Sequence, residues 1–134
     1  MLITDYFARL LRRIAQSPVV GANNVSLEAR SPYTGIIRGD IFFLDGSVLY
    51  FTEVVDVEIV IERVKYRYQY QQFESSERIF RYDNAKHHPA LPTFPHHKHL
   101  GRETEPDNVL AVSERFFEDI FEEIEECVSR LNRR

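Results

Sequence analysis

The chain has 134 residues, of which 43% are hydrophobic and 13% aromatic, and it contains no tryptophan. A chain of this length and composition is expected to fold as one domain, residues 1–134, around an aromatic core. The net charge of −4 excludes a protein that binds nucleic acid or acidic membranes through its overall charge. Any phosphate binding must therefore use a local basic patch.

Cys127 is the single cysteine, so an intramolecular disulfide is excluded. Its place on the apolar side of a predicted helix indicates packing rather than nucleophilic chemistry. The amino terminus has no secretory pattern, and no apolar run is long enough to span a bilayer. These features predict a cytoplasmic protein without a membrane partner.

The first predicted elements are a helix and an edge strand. Apolar residues recur at helical spacing over residues 4–16, and Ser17-Pro18 ends that pattern. Residues 21–24 are expected to form a loop, and residues 25–30 a short edge strand.

A hairpin is predicted next, because Asp45-Gly46 separates two runs of β-branched and aromatic residues. A two-residue turn there pairs Leu44 with Ser47 and places Arg38 opposite Glu53. One face of this hairpin is then the expected core face, and it carries Ile37, Ile41, Phe43, Val48, Tyr50 and Val54.

Alternating residues continue the sheet over residues 59–73, where three tyrosines share one face, and over residues 78–83. Prolines in residues 84–95 exclude regular pairing and predict an ordered loop or a lid. Residues 97–101 are expected to form another short strand, and residues 102–107 a polar loop.

The last predicted element is a long helix over residues 113–131, with Ser113 as its N-cap. The expected fold class is therefore α+β. An antiparallel meander of about four to six strands packs against an N-terminal helix and a long C-terminal helix.

All five histidines lie in one stretch, residues 78–101, beside two arginines, two lysines and a carboxylate. Histidine exchanges a proton near neutral pH and is the commonest metal ligand, so we favour a functional site over a surface loop. The candidate catalytic residues are His87, His88, His96, His97, His99 and Asp83. The candidate substrate-binding residues are Arg81, Tyr82 and Lys98.

One interpretation of this cluster is metal-free cleavage of RNA. One histidine would remove the proton of a ribose 2′-OH and another would protonate the leaving 5′ oxygen, while Arg81 or Lys98 stabilises the charge on the phosphorane. Asp83 would orient a histidine through its second nitrogen. A plain ion pair between Arg81 and Asp83 on one face of the sheet is an equally good reading of those two residues.

A second interpretation is a non-catalytic module that binds a metal or a partner. His97 and His99 are two residues apart and would project to one face of a strand, where Asp83 or His87 could complete a zinc-like divalent site.

Two other sets are more simply explained by structure. Arg38 and Glu53 are expected to form a salt bridge. The alternative, in which Asp40 and Glu53 hold a divalent ion with Lys65 nearby, is less favoured. The stripe of Tyr66, Tyr68 and Tyr70 is expected to pack in the sheet rather than to stack on bases.

The middle third of the chain resembles the TumE family, the toxin component of a type II toxin–antitoxin module. The matching segments are residues 65–70, 79–85, 87–89 and 94–99. The resemblance implies a small cytoplasmic toxin that is neutralised by an antitoxin, often with a DNA-binding domain, encoded beside it. The positions carried over are Arg81, Asp83, His87, His88, His96, His97 and His99, and Lys86 stands where the family favours proline.

RNA is then the expected target, so the protein is a possible ribonuclease. The aromatic content also makes a homodimer a possible assembly.

Overall fold

The computed structural model describes residues 1–102 and 108–132, and within them it consists of one antiparallel sheet and two helices. The elements follow one another along the chain, and their bounds are α1 Ile3–Ala15, β1 Val20–Ala29, β2 Thr34–Phe43, β3 Ser47–Asp56, β4 Glu62–Gln72, β5 Arg78–Asp83, β6 His97–Leu100, β7 Val109–Ala111 and α2 Phe117–Asn132. The strands lie in the sheet in sequence order, and each pairs antiparallel with the next.

The predicted α+β class, with an antiparallel meander and a helix at each end, is confirmed. The seven strands of the described residues exceed the predicted four to six. The edge strand β1 includes residues 21–24, which were expected to form a loop, and most of its residues are exposed. The strand β7 was not predicted, because three residues carry too little alternation to be recognised. Most of the predicted polar loop at 102–107 lies outside the described residues.

Both helices cover one face of the sheet, which we call the inner face. The ring of Phe121 of α2 lies 6.0 Å from that of Phe43, and the ring of Phe117 lies 5.3 Å from that of Phe51 in a tilted arrangement. The three tyrosines of β4 point into this core and are at most 3% exposed. Their packing role is therefore confirmed. The opposite, outer face carries the alternate residues of each strand.

Helix α1 approaches β2 closely. A Cβ atom on Gly35 would lie 2.8 Å from Phe7 Cζ and 2.6 Å from the Glu28 carbonyl oxygen. Neither neighbour leaves room for a side chain, so glycine allows the helix to pack on the sheet here.

No helix of the described residues is long and apolar enough to cross a membrane.

The β2–β3 register differs from the predicted one by one residue. Three residues, 44–46, connect the strands, and Gly46 has φ of +87° and donates its N–H to the Phe43 carbonyl oxygen at 3.1 Å. A three-residue loop that ends on a left-handed glycine is the next most common hairpin connection after the two-residue turn. Arg38 consequently lies opposite Thr52.

This shift exchanges the two faces of β3. Glu53 lies opposite Ile37 and points into the core, so the predicted Arg38–Glu53 salt bridge is wrong. Asp40 and Glu53 lie on opposite faces, which also removes the alternative ion site. Of the predicted core face, the β2 residues are correct, while the inward residues of β3 are Ser47, Leu49, Phe51, Glu53 and Val55.

A β-bulge in β4 has a similar consequence. Val54 pairs with Lys65 but Val55 pairs with Arg63, so Val64 is the extra residue. The bulge turns Arg63 inward, where its side chain is 0% exposed. Lys65 and the residues after it keep their alternation.

Helix α2 begins at Phe117 rather than at the predicted Ser113. The Phe116 N–H donates to the Asp119 carboxylate at 3.3 Å. Glu114 and Arg115, which precede the helix, instead accept hydrogen bonds from Arg63 of β4, as described below.

Candidate functional site

The centre of the candidate site is the pairing of β5 with β6. Asp83 lies opposite His97, and Arg81 lies opposite His99. Because side chains alternate along a strand, all four project from the outer face. The two-residue spacing of the histidines predicted this shared face.

Asp83 contacts the other three side chains and is 5% exposed. Its Oδ1 lies 2.8 Å from His97 Nε2 and accepts the Ala85 N–H at 3.0 Å. Its Oδ2 accepts the Arg81 Nε–H at 2.9 Å and lies 3.7 Å from His99 Nε2. Asp83 therefore pairs with Arg81 and orients a histidine at the same time, so the two readings of this carboxylate coexist.

His97 is held from both sides. Its Nδ1 donates to the Pro95 carbonyl oxygen at 2.9 Å, and its Nε2 faces Asp83. The residue is only 2% exposed, so a large substrate cannot reach it directly. His97 is placed to support its neighbours.

His99 is more accessible, with 13% of its side chain exposed. Its Nε2 lies 3.1 Å from Arg81 Nη2. Because a guanidinium only donates, this nitrogen accepts, and the ring is neutral with its proton on Nδ1. Burial, followed by the positive charge of Arg81, lowers the pKa of His99 to about 4.

The third histidine of the site is His88, from the loop between β5 and β6. Its ring centroid lies 5.0 Å from that of His97 and 5.8 Å from that of His99. The loop folds over the sheet through short turns, one of which joins the Leu91 N–H to the His88 carbonyl oxygen at 3.2 Å. His88 is half-buried, so it faces both the site and solvent.

One ring nitrogen from each of His88, His97 and His99 can lie within 4.8 Å of the other two. Three imidazoles, with the Asp83 carboxylate beside them, are ligands that suit a zinc-like ion. The bond from His97 Nδ1 to a backbone carbonyl is the usual support for a metal-binding Nε2. The residues present therefore fit a divalent metal, and His88 rather than His87 completes the set.

The other predicted site residues lie elsewhere. His87 is exposed and borders a groove next to the site. His96 lies on the inner side, where its Nδ1 is 2.8 Å from the Tyr66 hydroxyl. Lys98 and Tyr82 both bind Glu123 of α2, at 2.6 Å each. The structure thus brings together Arg81, Asp83, His88, His97 and His99, and it places His96, Lys98 and Tyr82 on the other face.

The Asn84 side chain follows Asp83 and contacts β4. It accepts the Tyr66 N–H at 2.9 Å and donates to the Val64 carbonyl oxygen at 3.2 Å. It thereby satisfies backbone groups of β4 that lie beyond the last β4–β5 register pair, and it fixes the end of β5 next to the site.

A second polar cluster lies inside the core, and sequence reasoning missed it. Glu53 accepts a short hydrogen bond from the Tyr6 hydroxyl and lies 3.6 Å from Arg63 Nη1. Burial raises the pKa of Glu53 to about 7, although the Tyr6 hydrogen bond and the Arg63 charge act in the opposite direction. Burial also raises the pKa of Tyr6.

Arg63 extends this cluster to the chain before α2. Its Nη1 donates to the Tyr68 hydroxyl at 3.3 Å, and its Nη2 donates to Glu114 Oε2 at 3.2 Å and to the Arg115 carbonyl oxygen. The guanidinium also lies 4.0 Å from the centre of the Tyr66 ring. Because Glu53 and Arg63 are inaccessible, the cluster joins α1, the sheet and the start of α2 rather than contacting a substrate.

A comparison with protein families gave one match: the family model described as Toxin TumE matches residues 8–128 of the chain. This match covers nearly the whole chain and includes every residue of the candidate site. No curated protein and no solved structure matches the chain significantly.

Proposed function

Because the chain belongs to the TumE toxin family, we propose that it is a toxin that cleaves RNA with histidines as acid and base and that a cognate antitoxin neutralises it. The observation that carries the catalytic part is the position of His99. Its unprotonated Nε2 lies 3.1 Å from the Arg81 guanidinium, and a second imidazole, that of His88, lies 5.8 Å away. RNA cleavage by the ribose 2′-OH requires a base, an acid and a cation around the phosphate that is attacked.

In this mechanism, the Arg81 guanidinium binds the phosphate oxygens. His99 Nε2 takes the proton of the 2′-OH, and the resulting oxygen attacks phosphorus. The bond from phosphorus to the 5′ oxygen breaks as the His88 imidazolium gives that oxygen a proton. The products are a 2′,3′-cyclic phosphate and a 5′-OH, so atoms and charges balance.

Substrate binding would also make His99 a stronger base. The positive charge of Arg81 contributes to the low pKa of His99, and a bound phosphate would neutralise that charge. The pKa of His99, which burial lowers more than Arg81 does, would then rise in part, and an imidazole with a higher pKa is a stronger base. His97 and Asp83 hold the site in place.

The test uses growth and product analysis together. Induced expression without the antitoxin should arrest growth, and His88→Ala and His99→Ala should relieve the arrest. Purified parent protein should produce RNA fragments with cyclic phosphate ends, detected by mass spectrometry. His87→Ala and His96→Ala are the matched controls, because both remove a histidine outside the convergent set. Parent-level cleavage by both His88→Ala and His99→Ala would disprove the acid–base role.

A second candidate function rests on the convergence of the three imidazoles. Here the histidine loop holds a zinc-like ion and the protein binds a partner without chemistry. Purified protein dialysed against zinc would then retain one equivalent, and His88→Ala would lose it. Retained zinc together with intact RNA would favour this candidate over the ribonuclease.

The partner proposal has its own measurement. We expect the antitoxin to be a DNA-binding protein that is encoded beside this chain and copurifies with it. Light scattering of the isolated chain distinguishes a monomer from the homodimer that its aromatic content suggests.

A further inference from the structure

The outer face of the sheet carries a row of aligned polar residues that ends at the histidines. Register pairs join Arg38 to Thr52, Thr52 to Arg67, and Arg67 to Asp83, which pairs with His97. Neighbouring strands lie about 4.8 Å apart, so Arg38 and Asp83 are separated by roughly 14 Å across the sheet. The row therefore leads from the middle of the outer face directly to the candidate site.

The cations of this face are available to bind an anion. Arg38, Lys65 and Arg67 are exposed. Among residues 1–102 and 108–130, no carboxylate forms an ion pair with any of the three, and Arg67 donates only to the neutral Gln69 side chain at 2.9 Å.

The helical layer has the opposite character. Arg9 and Arg13 of α1 are paired there with Glu118 and Glu125 of α2, and the rest of α2 is rich in acidic residues. Arg38, Lys65 and Arg67 thus give the outer sheet face a local positive charge, although the chain as a whole has a net charge of −4. A polyanion is steered to that face.

The shape of this face fits an extended strand. A shallow groove of about 440 Å³ is lined by side chains that include Arg38, Tyr50, Arg67 and Gln69, and Asp40 is the one acidic residue among its lining. Arg67 also lines an adjoining groove of about 300 Å³, together with Lys65, Arg81 and Asp83. Tyr50 is half-exposed and offers an aromatic ring on which a base can stack.

We propose that this outer face, defined by Arg38, Tyr50, Lys65 and Arg67, is the binding surface for single-stranded RNA and delivers its phosphates to Arg81. This inference rests on the proposed function. Charge complementarity to a polyanion and an aromatic ring beside the cations favour RNA, because single-strand binding grooves combine basic side chains along the backbone with aromatic rings on which bases stack. The surface would bind several nucleotides on one side of the scissile phosphate.

The test measures the binding of a short fluorescent RNA whose riboses carry 2′-O-methyl groups. This probe lacks the attacking hydroxyl, so binding is measured without cleavage. The Arg38→Glu/Arg67→Glu double variant should bind it about ten-fold or more weakly than the parent at low salt. The slope of log affinity against log salt concentration should decrease in magnitude by about 1.4, as expected when two phosphate contacts of a single strand are lost.

The matched control is Arg12→Glu/Arg130→Glu, which makes the same charge change at exposed positions of the two helices. This control should bind RNA within about two-fold of the parent at physiological salt, where long-range effects are screened. Thermal unfolding of both double variants shows whether they fold. Tyr50→Ala, which leaves the charge unchanged, should weaken binding with no change in the salt slope.

Two outcomes would overturn the inference. One is parent-level RNA affinity in the Arg38→Glu/Arg67→Glu variant, and the other is an equal loss in the helical control at the same salt concentration. If the sheet variant keeps its RNA affinity and no longer copurifies with the antitoxin, the surface is assigned to a protein instead. Failure of the proposed function gives a different result. A protein that binds the methylated RNA through this face but does not cleave ordinary RNA would support the binding surface and contradict the ribonuclease activity.

Discussion

The carboxylate of Asp83 lies 2.8 Å from His97 Nε2, and the other nitrogen of the same ring is held by the Pro95 carbonyl oxygen. This buried pair joins the end of β5 to the residues that begin β6. It forms the floor beneath His88 and His99, whose rings lie 5.0 and 4.8 Å from that of His97. The more accessible histidines are therefore positioned by a pair that is itself buried.

Removing the charge at Asp83 should affect both folding and activity. Asp83→Asn leaves Arg81 and His97 without their carboxylate, and we expect a loss of about 2–4 kcal/mol in the free energy of unfolding. Urea unfolding followed by circular dichroism measures this loss. RNA cleavage should fall mainly through kcat, because the base and acid lose their fixed geometry.

Asp40→Asn is the control for that variant. Asp40 lies on the same outer face and is half-exposed, so the free energy of unfolding should change by less than about 0.5 kcal/mol. Equal stability of the Asp83 and Asp40 variants would show that the Asp83 contacts contribute little.

The low pKa of His99 gives a second prediction. In the free protein, the pKa of this imidazole should be about 4, because burial and Arg81 both disfavour the charged ring. Adding inorganic phosphate, or substituting Arg81→Gln, reduces the positive charge beside the ring and should raise the pKa. Titration of the His99 Cε1 proton by NMR measures both changes. A midpoint near 6.5 in the free parent protein would contradict the described contact.

The sheet was largely predictable because alternation is a local property. The stripe of tyrosines and the two-residue spacing of His97 and His99 both define a face without knowledge of the partner strands. The same alternation places Lys98 and Tyr82 on the opposite face, yet their residue types favoured a role in substrate binding. Here the periodicity was the better guide, because a side chain on the wrong face cannot reach the site.

Register and irregularity were not predictable in the same way. One extra residue in the turn before Ser47 moved Glu53 from the outer face to the core, and one bulged residue, Val64, did the same to Arg63. Two-residue and three-residue turns share the Asp-Gly signal. The loop that carries His88 has no periodicity, so the choice between His87 and His88 required coordinates.

The buried Glu53 should make stability depend on pH. Its pKa is raised from 4.5 to about 7 in the folded protein, so the unfolded chain releases this proton first as the pH rises. The stabilising contribution is complete below about pH 4.5 and is lost as the pH rises to about 7, with a total of up to about 3 kcal/mol. Chemical unfolding of the parent and of Glu53→Gln at a series of pH values tests this.

The difference between these two proteins isolates Glu53. His99 acts in the opposite direction, because its lowered pKa removes stability as the pH falls from about 6.5 to about 4, but it is present in both. Glu122→Gln changes an exposed carboxyl of α2 and should show the pH dependence of the parent. A parent and Glu53→Gln with parallel pH profiles would place the carboxyl's ionisation outside this range.

The pairing of Glu53 with Arg63 predicts a pronounced non-additivity. Arg63→Met removes the guanidinium that contacts Glu53, the Tyr68 hydroxyl and the chain before α2. We expect a loss of about 3–5 kcal/mol in the free energy of unfolding, because a buried carboxyl is left without its cation. In the Glu53→Gln/Arg63→Met double variant, neither charge remains, so part of that loss should be recovered.

A double-mutant cycle measured by urea unfolding at pH 8, where the Glu53 carboxyl is ionised, gives the coupling free energy directly. We expect at least about 1 kcal/mol of coupling at that pH and less at pH 5, where the carboxyl is protonated. Additive effects at pH 8 would mean that Arg63 stabilises the fold through the segment before α2 and not through Glu53.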